Sequence, residues 1–156
     1  MPENASPSAA AQAEITAALL ALGRHIDLAS LLLTCTALVT LGAAAPPLTS
    51  RIALAGIVLL GLAEHFHALR VAFDAAIFSR WAARWQAADA TPEADLAAFD
   101  LALVATRLRA APASPSPRPL TARIAGARRL LLRQAACCML QGGIWLVVIA
   151  QMVWPQ

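Results

Sequence analysis

The sequence predicts an all-α integral membrane protein with three transmembrane helices and a small cytoplasmic helical lobe. Three observations carry that prediction. Hydrophobic residues make up 60% of the 156 positions and charged residues 13%, against about 45–50% and about 25% in an ordinary soluble domain. Three apolar stretches of about 20 residues are each long enough to cross a hydrocarbon core of about 30 Å. The segment between the second and third stretches has its own helix start and a Pro-rich tether, and is too polar to span.

Residues 1–8 (MPENASPS) are small and polar and read as a disordered N-terminus, with Ser8 as the cap of the first helix. That helix is expected over 9–45. Ile15, Leu19, Leu22 and Ile26 recur at helical spacing on one face, and a transmembrane span covers 26–45. Pro46-Pro47 ends it, and Thr49-Ser50 offers the next cap. A second long helix is expected over 51–88, with its span over 52–71, interrupted by Glu64, His65 and His67 before Arg70. Thr91-Pro92-Glu93 combines a cap, a first-turn proline and an acid near the positive end of the helix dipole, which starts a helix over 91–110. Prolines at 112, 115, 117 and 119 make 111–120 an extended linker. The third long helix is expected over 121–154, with its span over 134–154 and Trp154 at the membrane–water interface.

Composition narrows the setting. Alanine supplies 39 positions, every one of the 12 basic residues is arginine, and tyrosine is absent, a pattern typical of bacterial coding sequence of high G+C content. A bacterial inner membrane is therefore the expected location. Most arginines lie between the second and third spans, whereas the 46–51 turn holds only Arg51. The positive-inside rule then places the N-terminus in the cytoplasm and the C-terminus in the periplasm. A cleaved signal peptide ending at GAAAP is the rival reading, but its charged region would lie far in, at Arg24, and would contain Asp27. Three cysteines, two of them adjacent (Cys137, Cys138), form neither a disulfide framework nor a zinc CxxC pair. With no tyrosine and few tryptophans, no nucleic-acid partner is expected.

Candidate chemistry gathers in a polar layer. With the turn between the first two helices short, depth along the spans can be matched. Asp27 is then expected near His67 or Ala68, Glu64 near Ser30 or Leu31 and near Gln141, Cys137 near Asp27, and Arg133 or Gln134 near Arg24. The functional reading makes Asp27, Glu64 and His67 a transition-metal or proton site, with Cys137 or Cys138 close by, or makes His25 and His67 haem b ligands. The structural reading makes the same residues a polar layer that ties three helices together, and it is preferred. His65 and His67 point about 200° apart on a helix, so they cannot both join one site. Glu64-His65-Phe66-His67 also lacks the i,i+4 histidines of a HExxH zinc motif. Gly56, Gly61 and Gly142-Gly143 are expected at close helix contacts.

Arg118, Arg123, Arg128, Arg129 and Arg133 are expected as a membrane-surface basic cluster. Phe78, Trp81, Trp85, Leu96, Phe99 and Leu103 are expected to pack the lobe or to meet a partner, because a lobe of about 60 residues is marginal alone. No Gly-rich phosphate loop, nucleophile elbow or paired-carboxylate arrangement appears. The expectation is a non-catalytic membrane subunit, a scaffold, assembly factor or anchor, with the lipid bilayer and other membrane subunits or a second copy as partners. The alternatives are a haem- or metal-binding redox anchor and a small proton- or ion-conducting component.

Overall fold

The computed structural model describes residues 8–43, 46–88, 90–108 and 118–154. Of these, 90% are helical and none lies in a strand. The order is α1 (Ala9–Ala21), α2 (Gly23–Ala43), α3 (Leu48–Gln86), α4 (Pro92–Ala105) and α5 (Leu120–Val153). The stretch Ala9–Ala43, α3 and α5 are each long and apolar enough to cross a membrane. The disordered N-terminus expected over 1–8 lies outside the described residues except for Ser8, as does most of the linker expected over 111–120.

Local chemistry sets the helix ends. Ser8 Oγ accepts the Ala11 amide at 3.2 Å and opens α1. The helix expected as one element over 9–45 is divided at Leu22, whose carbonyl accepts the His25 amide over a tightened turn just before Gly23. α3 begins at Leu48 directly behind Pro46-Pro47, and Arg51 Nε holds the Pro46 carbonyl at 2.7 Å. Thr91 caps α4 with Pro92 in its first turn. That helix stops at Ala105, short of the expected 110. There the Thr106 hydroxyl turns back onto the Ala102 carbonyl at 2.8 Å and Arg107 takes a left-handed φ of 58°. The Leu108 amide then closes onto the Leu103 carbonyl, a C-terminal cap of the Schellman type.

The chain forms two compact units, one drawn from Met1–Leu20 and Asp74–Arg128, the other from Ala21–Phe73 and Arg129–Gln156. The first has an aromatic core. Trp81 and Trp85 stack with centroids 5.6 Å apart, while Phe78 and Phe99 meet Trp81 edge-on at 5.5 and 5.3 Å. Phe78, Trp81, Trp85 and Leu96 are buried, and Phe99 and Leu103 half-buried. The aromatic stripe, expected to pack the lobe or to meet a partner, packs within the unit itself. On α1 the buried face is Ala13, Thr16 and Leu20, whereas Ile15, Leu19 and the following Leu22, noted in the sequence for their helical spacing, are exposed.

Arg123 was expected at the membrane surface; the structure packs its half-buried side chain against the aromatic core. Its guanidinium lies 5.7 and 5.4 Å from the Trp81 and Phe99 ring centres and pairs with Asp100 at 2.7 Å. Ring faces and a carboxylate together outcompete solvent for this one cation. Arg118, Arg128, Arg129 and Arg133 remain exposed. Nearby, Asp95 accepts both the Trp85 indole N–H and the Arg84 guanidinium at 2.9 Å.

The second unit is a bundle of α2, the first part of α3 and the second part of α5. Its buried positions follow alternating three- and four-residue steps on α3 (Leu54, Ile57, Gly61, Glu64, Ala68 and Val71) and steps of three, seven and seven on α5 (Leu131, Gln134, Gln141 and Val148). On α2, Gly23, Ser30 and Ala37 lie seven apart. This is heptad spacing, the geometry of left-handed helix pairs. What fills the seam differs from a soluble coiled coil. Small and polar residues share the interior with Leu54, Ile57 and Val148, while Leu59 (67% exposed), Leu62 (63%) and Met139 (77%) point outward. Such a surface is stable against lipid and costly against water.

Candidate functional site

The interior of this bundle is divided along its length. Around Ser50 the core is apolar, built from Ala37, Leu54, Ile57 and Val148, with Leu41, Ile144 and Trp145 packed on it. Toward Gly23 it is polar, and Ser30, Glu64, Gln134 and Gln141 are each at most 1% exposed. Here the helix backbones come close enough for side chains to cross. Gln134 Nε2 donates to the Gly23 carbonyl at 2.7 Å and to Glu64 Oε1 at 2.8 Å, so one amide joins all three helices. Two turns along α5, Gln141 repeats the pattern. It accepts the Ser30 hydroxyl at 2.6 Å and donates at 3.0 Å to both Thr34 Oγ1 and the Ile57 carbonyl. Trp145 adds an indole N–H to the Leu33 carbonyl at 3.0 Å.

Two glycines make this approach possible. A Cβ at Gly23 would stand 2.8 Å from Val71 Cγ1 and 2.9 Å from Gln134 Oε1, and one at Gly61 would collide with Thr34 Oγ1 and crowd Gln141 Nε2 at 2.9 Å. Gly56, Gly142 and Gly143, also expected at close contacts, face open space. The hydroxyls of Thr36 and Thr40, by contrast, are absorbed by carbonyls of their own helix, so these residues can face outward at little cost.

The expected trio of Asp27, Glu64 and His67 is not assembled. Asp27 pairs with His65, Oδ1 to Nδ1 at 2.9 Å, on the outer face of the bundle with side chains 31% and 58% exposed. Glu64 is enclosed with Gln134 instead. Helical geometry explains the split, because adjacent residues diverge by about 100°, so Glu64 turned inward sends His65 outward toward α2. His65 is therefore the histidine sequence reasoning set aside, and Gln134 the amide whose tie to Glu64 it missed. The signal available for Gln134 was its seven-residue separation from Gln141.

His67 is half-buried, with its ring edge toward Phe66 and its Nδ1 without a hydrogen-bond partner among the described residues. His25 is exposed on α2, and no contact among the described residues joins it to His67. Among those residues no three His, Cys, Asp or Glu side chains stand together as a metal-binding group. Cys137 and Cys138 are half-buried free thiols. The second orphaned buried atom, Gln134 Oε1, faces the Cα side of Gly23, where only hydrogen fits.

Compared with known proteins, the chain matches no family model, no curated protein and no solved structure. What the site does has to be argued from its own geometry. A carboxyl, two amides and two hydroxyls, all directed at one another across three helices, can fix helix register and can carry a proton from group to group. The enclosed residues offer no open face to a substrate.

Proposed function

We propose that the protein is a non-catalytic subunit of a larger membrane complex, a scaffold, assembly factor or anchor, in a bacterial inner membrane with its N-terminus cytoplasmic and its C-terminus periplasmic. One observation carries the reading: Ser30, Glu64, Gln134 and Gln141, the residues most suggestive of chemistry, are engaged in holding α2, α3 and α5 together. Apolar side chains cover the outside of the bundle, and such a surface suits contact with lipid or with other membrane helices. The test is capture of the tagged full chain from its native membranes after mild crosslinking. Recovery in a fixed ratio with other membrane subunits supports the proposal. Recovery of the chain alone, crosslinked to nothing, overturns it. A Soret band in the captured material would shift the reading to a redox anchor.

A second reading has its own support, because Glu64, bonded to Gln134, places an ionisable group in the same buried polar layer as the Ser30–Gln141–Ile57 hydrogen bonds. Ionisable groups within membrane spans often mark proton paths. Proton flux into liposomes holding the purified chain, lost in Glu64→Gln, would establish this reading over the first.

A further inference from the structure

The Gly23 end of the bundle carries a second feature, on its outside. Gly23, Val71, Leu131 and Gln134 meet there, since a Cβ on Gly23 would touch all three partners. A chain neighbour of each of three of them is an exposed arginine: Arg24 after Gly23 on α2, Arg70 before Val71 on α3 and Arg133 before Gln134 on α5. Arg129 lies one turn from Arg133 on the same face of α5 and is exposed as well. Four guanidinium groups thus share about one level on three helices. Arg70 leans on the Phe66 ring at 4.8 Å. Of the acids nearest in the chain, Asp27 is taken by His65, and Asp74 has a partner of its own.

The level has a meaning. The opposite end of the bundle is marked by the contact of Ser50 Oγ with Gln151 Oε1 at 3.3 Å, and its one arginine, Arg51, is held by the Pro46 carbonyl. From the arginine level to that end each helix runs about 20 residues, about 30 Å, which is the thickness of a hydrocarbon core. The four arginines therefore stand where headgroup phosphates stand. A guanidinium grips a phosphate through two parallel N–H donors.

We propose that Arg24, Arg70, Arg129 and Arg133 form a binding girdle for the phosphodiester headgroups of anionic phospholipids. It selects these over zwitterionic lipids because four exposed guanidinium charges stand together at one level. The proposal requires only that the bundle sits in a membrane, and holds for either orientation and either reading of function.

The test uses the full chain, purified in detergent with equal amounts of phosphatidylglycerol and phosphatidylcholine, with bound lipid counted by native mass spectrometry. The wild type should retain phosphatidylglycerol in preference. Arg133→Gln or Arg129→Gln should each lower that preference about fivefold, as expected for one surface arginine near anionic lipid. The fourfold variant R24Q/R70Q/R129Q/R133Q should abolish it, whereas Arg51→Gln at the other end should leave it within twofold. Millimolar inorganic phosphate should not displace the lipid. Equal retention of both lipids by the wild type, unchanged preference in the two single variants, or displacement by inorganic phosphate would each overturn the proposal. The single variants concern exposed side chains, so they decide the matter even if the fourfold variant fails to fold.

Discussion

Gln134 and Gln141 sit seven residues apart on one face of α5, and each reaches both other helices of the bundle. A primary amide suits this position because it donates and accepts without charge, so no ion has to enter the interior. Glu64 is the exception, and its chemistry can be separated from its geometry. Glu64→Gln keeps an oxygen for the Gln134 amide, so the inserted, folded protein should be obtained in wild-type amount. Glu64→Leu strands that amide, and since interhelical bonds in membranes average about 0.6 kcal/mol, unfolding in a detergent series should shift only mildly. A well-inserted Glu64→Gln protein that no longer supports its complex or its proton flux would show that the charge itself is used. Crowding is the larger lever. Gly61→Ala forces a methyl against Thr34 and Gln141 and should cost about 1–3 kcal/mol. Gly56→Ala meets nothing within 4 Å and should unfold with the wild type; equal loss in both variants would refute this account of the helix contact.

At the scale of the element, span length was legible in the sequence and facing was not. Apolar runs bounded by Pro46-Pro47, by arginines and by Trp154 announce three helices, whatever those helices touch. Facing was obscured because leucine is as comfortable against lipid as against protein, so the stripe of Ile15, Leu19 and Leu22 carried no direction. The residues that do mark the seam on α2 are the small and polar ones, Gly23, Ser30 and Ala37, recurring at heptad steps. Asp27 and Glu64 were legible as candidates for burial or pairing, but not their partners, because a shift of one residue along α3 exchanges His65 for Glu64.

In the aromatic unit the decisive contact is also between elements. Arg123 of α5 reaches Asp100, the Leu96 carbonyl and two rings, and none of these could be paired with it from spacing alone. Arg123→Ala leaves the Asp100 carboxylate without that cation at an interior position and should destabilise the folded chain by about 3 kcal/mol. Arg118→Ala, on an exposed side chain, should fall within about 0.5 kcal/mol. Thermal unfolding followed by tryptophan fluorescence reads the difference directly, since Trp81 and Trp85 lie in the affected core.

For the whole molecule, the number of crossings and the distribution of arginine together determine sidedness. Ala9–Ala43, α3 and α5 are the three stretches able to span, and an odd number of crossings puts the two ends of the chain on opposite faces. The long segment between the spans of α3 and α5 carries most of the arginines, whereas the turn before α3 carries Arg51 alone. Short basic segments are retained on the cytoplasmic side, so a reporter joined after Ser114 should read cytoplasmic and one joined after Gln156 periplasmic. The two fusions test different links in the argument. Opposite signals in the reverse sense would keep three crossings and refute the arginine rule for this chain. Like signals would refute the crossing count, and the stretch to re-examine would be Ala9–Ala43, because it is divided at Leu22. Moving the charge asymmetry should move the result. Replacing Arg129 and Arg133 by Gln while adding arginines beside Arg51 should produce a mixed population in the Ser114 fusion, whereas the crossing number, set by apolar length alone, should not change.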